Sequence, residues 1–375
     1  MGFHGSALPD FPWDSLREAR SRAAAHPGGL VDLSVGTPVD PTPVVAREAL
    51  AAAANRPGYP ETIGTPALRA AIVRWFSRRR GATLTEDQVL PTVGSKELVA
   101  HLPSLLGLGG GDVVVHPATA YPTYDVGARL AGAHPVASDG PPESWPAATG
   151  LVWLNSPGNP HGHVLDTAAL RRVIAWARER GVVVASDECY AELAWEEPYA
   201  SAGVPSLLAD DVCGGDHTGL LVAYSLSKQS NLAGYRAALL AGDAGIVRGI
   251  REIRKHAGMM MPAPVQEAMT AVLGDDAHVV DQRARYRARR EVLLPAARTA
   301  GLKPDPASVA GLYVWAHGDA PSRRLVDALA GRGILAAPGT FYGPSGDGWV
   351  RLALTAPDER ISAAAERLAG GPLDL

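Results

Sequence analysis

The stretch Ser225-Leu-Ser-Lys-Gln-Ser-Asn-Leu-Ala-Gly-Tyr-Arg236 gathers hydroxyls, an amine and a guanidinium within a few turns of chain. Ser225, Ser227 and Arg236 supply two hydroxyl donors and a planar fork of N–H groups, a set suited to one phosphate. Lys228 stands among them. A lysine amine attacks a carbonyl carbon once it has lost its proton, and neighbouring cations favour that loss. A phosphate clamp beside an activated amine points to pyridoxal 5′-phosphate (PLP). The alternative is a Ser-rich loop carrying a solvated lysine. The chain holds only four lysines, Lys96, Lys228, Lys255 and Lys303, so few amines are available for such chemistry.

These side chains need a scaffold that brings them to one edge. Leu220-Leu-Val-Ala-Tyr224 directly precedes the cluster and reads as a buried strand, so Ser225 opens at a strand end, where open α/β sheets bind ligands. Similar apolar runs occur at Gln88–Gly94, Asp112–Pro117, Leu151–Asn155 and Val182–Ser186, alternating with helical stretches, with a short strand at Pro135–Ala137 and a further strand at Ala237–Gly242. Alternation from 88 to 243 builds a mainly parallel sheet with helices on both faces. After Lys303 the texture changes to short strands at Gly311–Trp315, Ile334–Ala337 and Trp349–Leu354 between helices, a compact α+β unit. The long helix expected over 276–300 is rich in arginine and reads as a solvated face.

Each strand end carries a chemical group. Gly94-Ser95-Lys96 turns a strand into a helix whose N-terminal N–H groups suit an anion. Tyr121 offers a ring for stacking on a flat heteroaromatic. Asn155-Ser-Pro-Gly-Asn159-Pro makes a rigid polar turn in which Asn159 can donate to a phenolate oxygen, and Tyr190 can reach the same oxygen. Asp187 ends an apolar strand, where a carboxylate is costly without a partner; a protonated pyridine nitrogen would be one, an arginine another. Arg351 alternates with apolar neighbours and can act as a carboxylate fork or a structural ion pair. Gly36 marks a turn where backbone can approach a ligand. Tyr59 lies in a loop and gains meaning only in company with the rest.

Other classes are disfavoured. A net charge of −4 with no basic run speaks against nucleic acid. No apolar stretch approaches a membrane span. Cys189 and Cys213 are too few for a disulfide framework and lack metal-ligand spacing, so no metal is expected and a cytoplasmic enzyme is. Met1–Ser6 matches a short myristoylation pattern that coincidence explains. A nicotinamide dehydrogenase fails for want of Gly-x-Gly-x-x-Gly.

Tyr59-Pro-x-x-x-Gly64, Gly94-Ser-Lys-Glu97, Asn155-x-Pro-x-Asn159-Pro-x-Gly162, Asp187-Glu-x-Tyr190, Ser225-x-Ser-Lys228, Arg236 and Arg351 occur in one order. In that order and spacing the chain resembles the class I/II aminotransferases of PLP fold type I, over nearly its whole length. The resemblance implies an α/β large domain with a mainly parallel seven-stranded sheet plus a smaller α+β domain. Residues 1–40 would form an N-terminal arm and part of the small domain, 41–260 the large domain, and 261–375 the rest of the small one. It also implies roles. Lys228 would hold PLP and act as general base and acid, Asp187 would pair the pyridinium nitrogen, Asn159 and Tyr190 would reach the ring oxygen, and Tyr121 would stack on the ring. Ser95, Lys96, Ser225, Ser227 and Arg236 would hold the phosphate, with Tyr59 contributed across a homodimer interface. Gly36, Asn159 and Arg351 would bind the α-carboxylate of amino-acid and 2-oxo-acid substrates, glutamate and 2-oxoglutarate among them. Many relatives carry Trp or Phe where Tyr121 stands, which preserves stacking.

Phe11-Pro-Trp-Asp14, Lys255-His-Ala-Gly-Met-Met-Met-Pro262 and Gly339-Thr-Phe-Tyr-Gly343 are similar to the actinobacterial-type N-succinyldiaminopimelate aminotransferases of lysine and diaminopimelate synthesis. Lys255 and His256 are candidates there for a distal carboxylate, or simply helix-end cations. A PLP-dependent carbon–sulfur β-lyase or cyclopropane-forming synthase would share every cofactor residue, so the reaction stays open between these. A non-catalytic PLP-binding regulator is disfavoured by the presence of Lys228.

Overall fold

The computed structural model describes residues 8–375, so the Met1–Ser6 pattern lies outside the described residues. The chain opens with a 3₁₀ turn (Pro12–Leu16), a helix (Arg17–Ala24) and a two-residue strand β1 (Val31–Asp32). Seven strands follow: β2 (Val89–Val93), β3 (Val113–His116), β4 (His134–Ala137), β5 (Thr149–Asn155), β6 (Val183–Asp187), β7 (Leu220–Ser225) and β8 (Ala237–Gly242). They form one sheet in the order β2-β8-β7-β6-β5-β3-β4. Only β8 runs against its neighbours. The expected mainly parallel seven-stranded α/β sheet is what the chain builds.

The apolar runs explain that sheet. A strand covered on both faces has no polar side, so its sequence reads as continuous hydrophobics. In β7, Leu220, Val222 and Tyr224 point into one core while Leu221 and Ala223 point into the other. Helices Pro66–Trp75, Thr167–Arg180 and Ala263–Leu273 close the first face; Ser95–Leu105, Thr123–Leu130 and Ala244–His256 close the second. Asp166 caps its helix by accepting from Ala169 N, and Gly181 ends it in the left-handed conformation.

A third core joins the two chain ends. Strands β9 (Lys303–Pro304), β10 (Tyr313–His317), β12 (Ala337–Pro338) and β13 (Trp349–Ala353) form an antiparallel sheet, while β11 (Ile334–Leu335) pairs in parallel with β1. Leu16, Ala19, Ala23 and Leu33 pack into this core, so the arm belongs structurally with the C-terminal sheet.

One sequence reading needs correction. The helix Ala277–Thr299 is not simply a solvated face, because Arg289 is buried between Asp40 (2.6 Å) and Asp358 (2.6 Å). A buried guanidinium is tolerated when two carboxylates and a carbonyl (Leu354 O, 3.2 Å) take up its donors. That network ties residue 40 to the C-terminal helix.

Candidate active site

The C-terminal ends of β2, β3, β5, β6 and β7 open on one cavity of about 630 Å³. It is walled on its far side by the N-terminal arm and by β10 and β13. Of the candidates read from sequence, Gly36, Ser95, Lys96, Tyr121, Asn159, Asp187, Tyr190, Ser225, Ser227, Lys228, Arg236 and Arg351 all line it. Tyr59 does not; it stands on the surface, 95% exposed. Lys255 and His256 are also absent from the cavity. Lys255 sits at an exposed helix end paired to Glu252 (2.9 Å).

At one end, Gly94 has φ +83°, and a side chain there would collide with the guanidinium of Arg236. Glycine lets the backbone turn and lets Arg236 lie across it. The helix beginning at Ser95 has no side-chain cap, so its first N–H groups face the cavity with the positive end of the dipole. Ser225 Oγ donates to Ser227 Oγ (2.7 Å) and accepts from Ser227 N (3.1 Å). Arg236 adopts φ +56°, a costly backbone state for a residue with a side chain, and is held by Ala233 O (2.9 Å).

In the middle, Asp187 is buried at the end of β6, beside Asn155 of β5. Its carboxylate accepts from Tyr124 Oη (3.0 Å) and from Cys189 N (3.1 Å). No arginine or lysine pairs with it among the described residues, which removes the structural ion-pair reading. Burial raises its pKa, the hydrogen bonds from Cys189 and Tyr124 offsetting only part of that. Burial likewise lowers the pKa of Lys228, with Arg351 and Arg236 adding to the effect. Lys228 Nζ donates to Gly36 O. Burial pushes the Tyr121 phenol up to about 12, so it stays neutral.

At the opposite end, Arg351 is fully buried without a carboxylate. Nη1 donates to Asn159 Oδ1 (2.9 Å), Nη2 to Ser34 O (2.7 Å), and Nε has no partner. Its guanidinium carbon lies 3.9 Å from the ring centre of Tyr313 and 5.0 Å from that of Tyr342. Asn159 is itself fixed, its N–H donating to Asn155 Oδ1 (2.8 Å). Asn155 Nδ2 donates to Asp187 O (3.0 Å), so one asparagine braces both neighbours.

Sequence reading missed Tyr124, Tyr313 and Ser34. Tyr124 had a signal, since it stands three residues after Tyr121 where a helix starts and so shares its side of the turn. Tyr313 had none before strand pairing was known. The arm is the other surprise. Phe11, Trp13, Asp14, Arg17 and Arg20 line the cavity, and Trp13 Nε1 donates to Ser34 O (3.3 Å).

The charges make an unusual balance. Arg17, Lys96, Lys228, Arg236 and Arg351 all line the cavity, and none forms an ion pair with a carboxylate among the described residues. Arg351 is buried and Lys228 half-buried, while Arg17, Lys96 and Arg236 are exposed. An unpaired buried charge is expensive, so the wall around Arg351 and Lys228 suits an anionic ligand, with a cationic point opposite Asp187.

The sequence pattern of the aminotransferase class I and II family matches residues 29–368. The chain belongs to this family. It is 56% identical over 365 residues to a probable aminotransferase of Mycobacterium tuberculosis, covering 97% of this chain and 86% of that one. It is 54% identical over 361 residues to the 4-dedimethylamino-4-oxo-anhydrotetracycline transaminase OxyQ of Streptomyces rimosus, covering 96% and 99%. A solved probable N-succinyldiaminopimelate aminotransferase from Thermus thermophilus superposes with TM-score 0.84 at 28% identity, covering 96% of this chain and all of that one. The chain is therefore a PLP-dependent aminotransferase of fold type I, an enzyme that exchanges amino groups between amino and oxo acids. The cavity suits PLP chemically: an anion seat at one end, an unpaired buried carboxylate for a protonated ring nitrogen, and a lysine of lowered pKa between them.

Proposed function

We propose that this aminotransferase takes a substrate with a distal anionic arm, namely N-succinyl-L,L-2,6-diaminopimelate with 2-oxoglutarate as amino acceptor. The observation that carries the distal anion is Arg17 on the arm, a cation on the cavity wall that neither the phosphate seat nor the α-carboxylate fork requires. PLP, when bound, acts as an electron sink for the substrate carbon that loses its proton. Ser95, Lys96, Ser225, Ser227 and Arg236 hold the phosphate, Tyr59 of a second copy completes that seat, and Tyr121 lies against the ring. Asp187, whose carboxylate accepts from Tyr124 and Cys189, would pair the protonated ring nitrogen, and that pairing favours its ionised form. Asn159 and Tyr190 face the ring oxygen. Arg351 and Asn159 orient the α-carboxylate, with the Gly36 backbone beside them. Lys228 moves the proton, and burial, which lowers its pKa, favours the free amine.

The packing of Leu16, Ala19, Ala23, Val31 and Leu33 with the C-terminal core, and of Ala263–Leu273 with the large one, supports a division whose second boundary follows residue 273.

The test is a titration of the purified yellow holoenzyme by its visible spectrum. Glutamate and N-succinyl-diaminopimelate should each bleach the band, and 2-oxoglutarate should restore it. Bleaching by glutamate alone would leave the family and remove the substrate. Pyruvate release from cysteine-type substrates, with no bleaching, would make the enzyme a β-lyase. A second reading follows from the 54% identity to OxyQ: a ring ketone as amino acceptor, shown by return of the band with such a ketone in place of 2-oxoglutarate.

A further inference from the structure

Tyr313 is the first residue of β10, paired with Ala353 of β13, so its side chain sits diagonally across the sheet from Arg351. It is 4% exposed. Three contacts fix it. Its ring lies over the Arg351 guanidinium at 3.9 Å, and its hydroxyl lies 3.1 Å from the Tyr190 hydroxyl. The same hydroxyl is so close to Gly36 that any side chain there would collide with it, a Cβ falling 2.2 Å away. Tyr313 thus touches two parts of the site: the carboxylate fork and the phenol assigned to the ring oxygen.

Two facing hydroxyls leave open which one donates. Burial opposes ionisation of both, but Tyr313 lies nearer the charges of Arg351 and Lys228, which hold its pKa below the ordinary phenol value. Tyr190 is pushed up by burial. A phenol has one proton, and the role assigned to Tyr190 places its proton at the ring oxygen, so in the 3.1 Å bond between the two hydroxyls Tyr313 donates and Tyr190 accepts. Tyr190 then has its own O–H left for the cavity. A hydroxyl that accepts one hydrogen bond also donates a stronger second one, because each bond polarises the next.

We propose that Tyr313 is a positioning residue of this enzyme: by donating to Tyr190 it aims the Tyr190 O–H at the cofactor's ring oxygen and strengthens that bond, while its ring holds the Arg351 fork in plane. The proposal rests on the assignment of Tyr190 to the ring oxygen. Its consequence is electrostatic. A donor at the ring oxygen favours the anionic oxygen and lowers the pH at which the neighbouring proton leaves.

The experiment is a pH titration of the holoenzyme's visible band in wild type, Tyr313→Phe, Tyr190→Phe and the double variant. Tyr313→Phe keeps the ring on Arg351 and loses only the hydroxyl. Its midpoint is expected to rise by about half to one pH unit, the size of one buried hydrogen bond, with KM for amino acids within about twofold of wild type. Tyr190→Phe should rise further, and the double variant should match Tyr190→Phe. If Tyr190→Phe moves the midpoint and Tyr313→Phe does not, the proposal falls while the Tyr190 assignment stands. If neither moves it, the assignment itself fails and takes the proposal with it. If Tyr313→Phe shifts the midpoint by the same amount in the Tyr190→Phe background, its effect does not pass through Tyr190 and the proposal is overturned.

Discussion

The two ends of the cavity hold an arginine each, by opposite means. Arg236 is exposed, keeps one hydrogen bond to Ala233 O and is placed by its backbone, at φ +56° over the bare face of Gly94. Arg351 is buried, has an ordinary strand backbone, and is placed by Asn159, Ser34 and Tyr313, from three distant parts of the chain. The first is a local device, the second a tertiary one. A local device can bind a group that stays put, while a tertiary clamp fixes the angle of a substrate that must react and leave.

Lys228 lies between the ends and serves both, so its loss gives the largest effect. Lys228→Ala should reduce amino transfer by about 10⁴-fold or more, because no other cavity amine replaces it as base and acid. Single-turnover exchange with glutamate measures this directly; exchange at the wild-type rate would mean that another group moves the proton.

Asp187→Asn should cost about 10²–10³-fold in turnover, the scale of one lost preorganised charge contact. It also has a signature without cofactor. The raised pKa of Asp187 means that the folded apoprotein keeps a proton which the unfolded chain releases. Its contribution is therefore fully present below the ordinary carboxylate range and is lost as pH rises through the raised value. The fall in apoprotein Tm as pH rises above the ordinary carboxylate range should shrink in Asp187→Asn. An unchanged fall would show that this carboxylate is not the costly one.

The two arginines then separate. Arg351→Gln should raise KM for the amino substrate about 100-fold and leave PLP affinity nearly unchanged, since it removes a charged fork from a dry site. Arg236→Gln should do the reverse and more weakly, loosening PLP about tenfold with KM unaltered at saturating cofactor, because exposure screens its charge. Paired measurements of PLP dissociation and KM check both; equal effects in the two variants would erase the distinction drawn between the ends.

The same contrast explains what the sequence could show. Ser225, Ser227, Lys228 and Arg236 were legible because one strand end carries them all, and Asp187 because a carboxylate closes an apolar strand. The sheet was legible from apolar runs covered on both faces. Ser34 acts through its backbone carbonyl, which no residue type announces, and Tyr313 depends on a strand pairing that only the fold supplies. The arm was illegible for a related reason: only the folded chain brings Phe11 and Trp13 onto the cavity wall. Arg289 read as solvated because its partner Asp40 lies 249 residues away.

The smallest effect sharpens the middle of the cavity. Tyr124 is fully buried, stacks on Trp153 at 5.2 Å and donates to Asp187 Oδ2. Tyr124→Phe keeps the ring and its stack, so the fold should be unaffected, and removes one of the bonds that favour the ionised carboxylate. The pKa of Asp187 should rise further, and its pairing with a protonated ring nitrogen should weaken. At one neutral-to-charged hydrogen bond, PLP dissociation should increase about 3–10-fold. The increase should be larger at the acid end of the range, where the variant's carboxylate is protonated first. Binding that matches wild type at every pH would show that the main-chain N–H of Cys189 alone suffices to hold Asp187 charged.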